Sequence, residues 1–254
     1  TSNHMSLFSV ARQTIRKPFF KPAFVCVFVS CIWFYLRLTP PQPAISRAMH
    51  IQSIPMWEGS GNNYAYLVVD DNSKDAVIID PANPSDGAIN LKNIINTHHH
   101  HDHAGGNVEM DCTKVTKTPA HGETFNVGSI KVKALHTPCH TQDSICYLFE
   151  DGEDKAVFTG DTLFIGALNK TLAALPDETK VYYTKGNVKF GIQVLQSEPV
   201  KKLEAFANAN KQTQGKFTIG DEKLHNVFMR LDKATGKTSP VDVMAALREM
   251  KNNS

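Results

Sequence analysis

The chain has 254 residues, of which 41% are hydrophobic, so it is long enough to bury one sizeable core with a smaller appendage. Its 27 lysine and arginine residues nearly balance 25 aspartate and glutamate residues, yet no acidic residue precedes Glu58. Without the six basic residues before Glu58, the remainder carries 21 basic and 25 acidic residues. This balance excludes a strongly basic protein, and we expect no nucleic-acid partner.

Residues 1–48 have the composition of a targeting leader. They contain no acidic residue and, between Lys21 and Arg37, fifteen uncharged and mostly apolar residues. That run is short for a bilayer-spanning helix and suits a signal-peptide core or a mitochondrial presequence. We expect a mitochondrial matrix protein, or a cytoplasmic form starting at Met49. A membrane anchor is the less favoured alternative, with membrane contact only through residues 22–36.

Short apolar runs alternate with turn-forming residues from Asn63 onward, which is typical of β-strands. Turn sequences such as DDNSKD, PANPSDG, HAGGN and DGEDK separate the runs. The predicted strands cover residues 64–69, 76–80, 92–97, 129–135, 144–149 and 156–161. We therefore predict a sheet-rich α/β domain over residues 49–175.

The spacing of apolar residues becomes helical after about residue 170. The predicted helices cover residues 188–196, 199–211 and 239–251, and two of them carry proline in the first turn, where its missing N–H costs nothing. We therefore predict a smaller helical domain over residues 176–254.

The segment THHHHDHAGG, residues 97–106, is the richest in metal-ligand chemistry. It directly follows a predicted strand, so a rigid scaffold can direct several of its side chains to one point. Its candidate ligands are His98, His100, Asp102 and His103. Imidazole and carboxylate are ligands that zinc, iron and manganese share. Four consecutive histidines alone would fit a solvated polar loop equally well.

Two further strand ends carry the same residue types. His140, in HTPCHT, follows the strand predicted at 129–135, and Asp161, in FTGD, ends the strand predicted at 156–161. Three separate strand ends that each supply histidine or aspartate favour a metal centre over a solvated loop.

THHHHDH matches the THxHxDH signature of the metallo-β-lactamase superfamily, and the wider sequence resembles glyoxalase II, the hydroxyacylglutathione hydrolases. The signature identifies only the superfamily, whereas the C-terminal stretches are particular to glyoxalase II. The resemblance covers nearly all of residues 49–252, through YLVVDD, IIDPANP, HTPCHT, FTGDTLF, LPDETKVYYT, NVKFG, TIGDEKLHNVFMRL and TGKTSPVDVMAALREMK. It implies an α/β fold, the metallo-β-lactamase αββα sandwich, with a C-terminal α-helical domain.

The same resemblance implies a centre of two divalent metal ions, which we expect to be zinc, with iron or manganese as alternatives. Its ligands would be His98, His100 and His140 for the first ion, Asp102 and His103 for the second, and Asp161 as a bridge. A metal-bound hydroxide would attack the thioester carbonyl, so we expect no catalytic nucleophile among the side chains.

Three residues are candidates for binding the glutathione part of a substrate. Tyr183 matches a family tyrosine that contacts the glutathione backbone. Arg248 and Lys251 stand three apart on the last predicted helix, where the family binds the glycine carboxylate. From the residues alone, basic side chains in a last helical turn equally complement the helix dipole. The expected partner is a small glutathione thioester, and we expect a monomer.

This chain departs from the family pattern at two places. The loop Cys-Gly-Arg/Lys-Phe-Phe/Tyr-Glu-Gly and its helix are missing after Gly166, and Cys-Gly-His-Glu is missing between Tyr182 and Tyr183. The first loss removes residues that help to hold glutathione, and the second removes a histidine ligand of the second metal. We therefore expect the second metal site to be under-occupied.

Three functions remain as alternatives. The leading one is hydrolysis of S-2-hydroxyacylglutathione, in particular S-lactoylglutathione, to glutathione and D-lactate, the second step of methylglyoxal detoxification. The second is hydrolysis of another thioester, and the third is a metal-binding relative with reduced or no activity. Arg248 and Lys251 favour the first, whereas the missing histidine favours the third.

Overall fold

The computed structural model describes residues 49–56, 63–82, 90–107, 117–165, 170–183, 197–210 and 212–226, with Met229 and the helical positions 242, 245, 246 and 249. The strands and helices named below belong to one compact unit, Arg47–Ser254. The predicted leader lies outside the described residues. No helix in the described ranges is long and apolar enough to cross a membrane.

Four strands form the first sheet, in the order β1–β2–β3–β4. Their bounds are Met49–Met56 for β1, Asn63–Asp70 for β2, Asp75–Ile79 for β3 and Asn90–Ile95 for β4. The first two pairs are antiparallel, whereas β3 and β4 are parallel. The chain must therefore cross over between β3 and β4, because parallel strands cannot be joined by a tight turn.

Five strands form the second sheet, in sequence order from β5 to β9. Their bounds are Thr124–Val127 for β5, Ile130–His136 for β6, Ile145–Asp151 for β7, Asp154–Gly160 for β8 and Lys180–Tyr183 for β9. All neighbouring pairs are antiparallel except β8 and β9, which are parallel. Both sheets thus end in a parallel pair.

The helices are short beside the strands, apart from one of 12 residues. Their bounds are His101–Ala104 for α1, Thr162–Ile165 for α2, Lys170–Ala173 for α3, Glu198–Ala209 for α4 and Ile219–His225 for α5. A 3₁₀ turn, Gly105–Asn107, follows α1 directly. Helix α5 begins with a capping box between Thr218 and Asp221, which satisfies two backbone N–H groups at its start.

The two sheets pack face to face around one apolar core. Tyr66, Val68 and Ile79 from the first sheet meet Phe149 and Phe158 from the second. The opposite face of the second sheet is also buried, against Leu163, Leu172 and Ile219 from α2, α3 and α5. Covering both faces explains why β7 and β8 are continuous apolar runs instead of alternating ones.

Asp70, at the end of β2, joins the first sheet to the turn between β5 and β6. Its Oδ2 accepts hydrogen bonds from Ser129 N at 2.7 Å and from Ser129 Oγ at 3.1 Å. The adjacent Gly128 has φ of 58°, and a Cβ there would lie 2.0 Å from Asp70 Oδ2. Glycine is therefore required by both the backbone conformation and the close approach.

The six strands predicted from the sequence are confirmed as β2, β3, β4, β6, β7 and β8, and the helix predicted at 199–211 is confirmed as α4. The prediction that helix takes over after about residue 170 is wrong for β9, which extends the second sheet to Tyr183, beyond the predicted domain boundary at 175. Strands β1 and β5 were not predicted. The helices predicted at 188–196 and 239–251 lie outside the described residues.

Candidate metal centre

The loop after β4 is fixed to the second sheet where it leaves the first. Ile145 N, at the start of β7, donates a hydrogen bond to Thr97 O at 2.8 Å. The single turn of α1 follows and places Asp102 and His103 on the same side as the preceding histidines. His103 is fully buried, at 0% exposure. Both sheets therefore position this loop.

Three imidazole nitrogen atoms converge beside this loop. His98 Nε2 lies 3.0 Å from His100 Nδ1, and His140 Nε2, on the loop after β6, lies 2.9 Å from the same atom. All three lie within 4.8 Å of one another. Imidazole nitrogen atoms grouped in this way are a donor set for a divalent metal ion.

Asp161 lies between these histidines and a second group. Its Oδ2 is 3.5 Å from His140 Nε2, and its Oδ1 is 3.4 Å from His103 Nε2. Asp102 Oδ2 is 3.8 Å from His103 Nε2. The structure thus brings together all six metal-ligand candidates predicted from the sequence.

Two buried atoms in this cluster indicate whether its residues fit a metal ion. His103 Nε2 and Asp161 Oδ1 are buried and lie 3.4 Å from each other, but neither makes a hydrogen bond of normal geometry. Burying a polar atom without a hydrogen bond costs about 1–3 kcal/mol, and a bound ion would remove that cost. Because imidazole nitrogen and carboxylate oxygen are ordinary ligands of divalent metals, the arrangement fits a metal centre.

Asp80, directly after β3, contacts both Thr97 and His103. It was not identified from the sequence as part of the site. It accepts hydrogen bonds from Thr97 N and Thr97 Oγ1, each at 2.7 Å, and lies 2.9 Å from His103 Nδ1. In the neutral imidazole, a carboxylate at Nδ1 favours the tautomer in which Nε2 can bind a metal. The available signal was an aspartate ending an apolar strand, AVIID, before Pro81.

The charges of the cluster shift its pKa values in opposite directions. Burial lowers the pKa of His98 to about 4, and the nearby charge of His103 adds to this effect. Burial also opposes protonation of His103, but Asp161 and Asp80 outweigh it and raise the pKa of His103 to about 10. Burial would raise the pKa of Asp161, yet the neighbouring His103 lowers it to about 2. The carboxylate of Asp161 is therefore ionised at neutral pH.

Gly160 allows β8 to deliver Asp161 to the cluster. It has φ of 49°, and a Cβ there would lie 2.2 Å from Thr97 Oγ1. The end of β8 thus packs directly on the first residue of the histidine loop, and no larger residue fits without moving one of them.

Tyr183 does not lie in an open binding surface. It is 8% exposed, its hydroxyl donates to Thr213 Oγ1 at 3.0 Å, and its carbonyl oxygen accepts from Tyr66 OH at 2.7 Å. Its ring packs in the cluster between the second sheet and the helices. This burial differs from what a substrate-contacting residue suggests, and the role of Tyr183 in binding glutathione stays a prediction. Arg248 and Lys251 lie outside the described residues.

A cavity of about 450 Å³ lies next to the metal centre, between β4 and β5. His98 and His99 border it, and its apolar wall includes Ile95, Phe125 and Tyr147. The cavity is therefore adjacent to a candidate metal ligand and has space for an apolar group.

Comparison with known proteins agrees with this geometry. The model of the metallo-beta-lactamase superfamily matches residues 59–129, and that of the hydroxyacylglutathione hydrolase C-terminus matches residues 182–254. Over 253 residues the chain is 43% identical to the protein named probable hydroxyacylglutathione hydrolase glo2 of Schizosaccharomyces pombe, with 81% of this chain and 99% of that protein covered. The chain belongs to the hydroxyacylglutathione hydrolase family.

Other members of the hydroxyacylglutathione hydrolase family match at similar coverage. The cytoplasmic and mitochondrial enzymes of Saccharomyces cerevisiae are each 34% identical to this chain, over 80% and 81% of its length and 99% and 96% of theirs. The crystal structure of ETHE1 from Myxococcus xanthus has a TM-score of 0.50 at 23% identity, covering 80% of this chain and 91% of that one, which is a likeness of fold alone. The predicted α/β fold of the metallo-β-lactamase type is confirmed.

The alignment with glo2 also measures how much of the family pattern this chain lacks. The alignment has 253 positions. The matched 81% of this 254-residue chain supplies about 206 of them. About 47 positions of the relative therefore have no counterpart here.

Proposed function

We propose that this protein hydrolyses glutathione thioesters of 2-hydroxy acids, in particular S-lactoylglutathione, to glutathione and D-lactate, as the second step of methylglyoxal detoxification. The observation that carries the proposal is the convergence of histidine and aspartate ligands from both sheets. The 43% identity to a protein named hydroxyacylglutathione hydrolase, over 99% of its length, supports the choice of substrate.

We assign the metal ligands as two groups that share Asp161. The first ion takes His98, His100, His140 and Asp161, and the second takes Asp102, His103 and Asp161. Zinc suits both groups, with iron or manganese as alternatives that use the same ligands. A divalent ion bound here supplies a water of lowered pKa and polarises the thioester carbonyl.

The protein's own residues organise the reaction around that chemistry. Asp80 orients His103, and Asp161 keeps a negative charge between the two groups of histidines. The burial of His98 and His103 excludes water from one side of the cluster. A thiolate leaves readily, so the proposal requires no side chain to act as general acid.

Two observations favour a second candidate, hydrolysis of another thioester. Tyr183 is buried in the core, and the cavity of about 450 Å³ beside His98 has an apolar wall suited to an acyl chain. Arg248 and Lys251 remain the proposed contacts for a glutathione carboxylate. The missing histidine supports the third candidate, a metal-binding relative of reduced activity.

Further features belong to the same proposal. We propose a catalytic domain that begins at residue 49 and runs through β9, a helical domain after it, and action as a monomer. The yeast relatives named cytoplasmic and mitochondrial support either of those locations for this chain.

One experiment separates the three functions. The full chain is purified, its bound metal is counted by mass spectrometry, and thiol release is followed with S-lactoylglutathione and with acetyl-coenzyme A. We expect bound divalent metal and faster release from S-lactoylglutathione. Preference for acetyl-coenzyme A would favour the second candidate, and bound metal without thiol release would favour the third.

A further inference from the structure

Asn63 is a buried amide at the first position of β2, with 1% exposure. Its Oδ1 accepts a hydrogen bond from Tyr64 N at 3.1 Å. Its Nδ2 donates to Asp102 O at 2.5 Å and lies 3.5 Å from Asp102 Oδ2. The amide therefore contacts both the backbone and the carboxylate of a residue 39 positions away in the sequence.

Two candidate ligands of the second metal, His103 and Asp102, differ in how far the surrounding protein buries them. His103 is fully buried and lies 2.9 Å from Asp80, whereas the side chain of Asp102 is 38% exposed. Asp102 also lies in α1, a helix of 4 residues, and a single turn has little stability of its own. A partly exposed carboxylate on such a turn loses conformational freedom when it binds a metal.

We propose that Asn63 is a positioning residue that holds the Asp102 carboxylate ready for the second metal ion. The inference rests on the proposed metal-dependent function. A site with three protein ligands instead of four gains more from having each ligand fixed in advance, because less binding free energy is spent on ordering. Asn63 fixes the backbone carbonyl of Asp102 and limits where its carboxylate can turn.

The test is a titration of the metal-free full chain with cobalt(II), followed by visible absorption and calorimetry. Asn63→Ala should weaken the second binding step about 10- to 100-fold, as losses of residues behind metal ligands do, and leave the first step unchanged. Asn210→Ala is the control for the loss of an amide, because its Nδ2 donates to Phe206 O at 2.8 Å, at the end of α4. This control should leave both steps unchanged.

A double-mutant cycle separates positioning from general support of the fold. If Asn63 acts through Asp102, Asn63→Ala should add little further loss in an Asp102→Asn background. The inference is overturned if the two losses add fully, if both binding steps weaken equally, if Asn210→Ala has the same effect, or if the native chain binds a single cobalt ion.

Thiol release by the native chain tests the proposed function separately. Two cobalt ions bound without any turnover of S-lactoylglutathione would overturn that function, while the effect of Asn63→Ala on the second step would still support positioning. Native turnover together with an unchanged second step in Asn63→Ala would overturn the positioning inference alone.

Discussion

Asp80 combines a costly backbone conformation with several strong contacts. Its φ of 52° lies in the left-handed region, which costs most residues about 1–2 kcal/mol and aspartate or asparagine less. Two hydrogen bonds from Thr97 and the contact with His103 Nδ1 offset this cost. The conformation is kept because it directs one carboxylate at both the loop and a proposed ligand.

Asp80→Asn should alter metal binding more than folding. Asparagine tolerates the left-handed conformation, but its Nδ2 would donate to His103 Nδ1 and favour the tautomer with the proton on Nε2. We expect metal affinity to fall about 10- to 100-fold, measured by competition with a zinc chelator. Asp177→Asn is the control, because Asp177 is an exposed partner of Lys223. Equal affinity in native and Asp80→Asn chains would contradict the role of Asp80.

Site residues that lie in distinctive sequence motifs could be predicted from the sequence, whereas site residues in ordinary sequence contexts could not. His98, His100 and Asp161 were found because histidine and aspartate at strand ends are uncommon. Asn63 was missed because one asparagine before an apolar run is typical of any strand entrance. The burial of Tyr183 was not predicted, because a shared motif does not reveal which way a side chain of β9 points.

At the scale of elements, β8 can deliver Asp161 only because Gly160 packs against Thr97. Gly160→Ala should lower the free energy of unfolding of the metal-free chain by about 2–5 kcal/mol, from the positive φ and the steric overlap together. Gly122 also has a positive φ, of 79°, but a Cβ there would meet only Lys133 Cε at 4.0 Å. Gly122→Ala should therefore cost about 1–2 kcal/mol in urea unfolding. Equal losses would show that the Thr97 contact is unimportant.

The Asp70 contact between the sheets should make stability depend on pH. Burial raises the pKa of Asp70, but hydrogen bonds from the Ser129 and Asn72 backbones outweigh it and hold the pKa below its usual value. A lowered pKa in the folded state contributes stability above the unfolded pKa of about 4, and this is lost as pH falls through the folded value.

Asp70→Asn should therefore lower the free energy of unfolding by about 1–3 kcal/mol at neutral pH, and by less as the pH falls below about 4. Urea unfolding across this pH range measures the difference. Asp71→Asn is the control, because the neighbouring Asp71 side chain is 51% exposed and pairs with Lys74. A deficit that stays constant with pH would contradict this assignment.

Strands were predicted where apolar runs were long, and missed where they were short. β7 and β8 are buried on both faces, so their sequences are nearly continuous in apolar residues. β9 has four residues that alternate between exposed or half-buried and buried positions, and alternation over so short a length is not distinctive. Its place in the sheet comes from pairing with β8, which is a tertiary effect.

For the whole molecule, the gap between Tyr182 and Tyr183 should limit metal occupancy. Inserting Cys-Gly-His-Glu there should raise the metal bound per chain, because it restores a histidine to the edge of the sheet next to β8. The matched control inserts Cys-Gly-Ala-Glu, which changes the length equally but adds no ligand. If both insertions bind the same amount of metal by mass spectrometry, the missing histidine is not the cause.

The proposed ligands come from both sheets: His98 and His100 follow β4, whereas His140 and Asp161 follow β6 and β8. An ion held by all four ties together two layers that are otherwise joined mainly by apolar packing and a few polar contacts. Such an ion would connect the two sheets, and its removal would break that connection. In a cell depleted of metal, newly made chains would open more often at this end and be degraded sooner by proteases. Metal supply would then affect the stability of this protein as well as its chemistry.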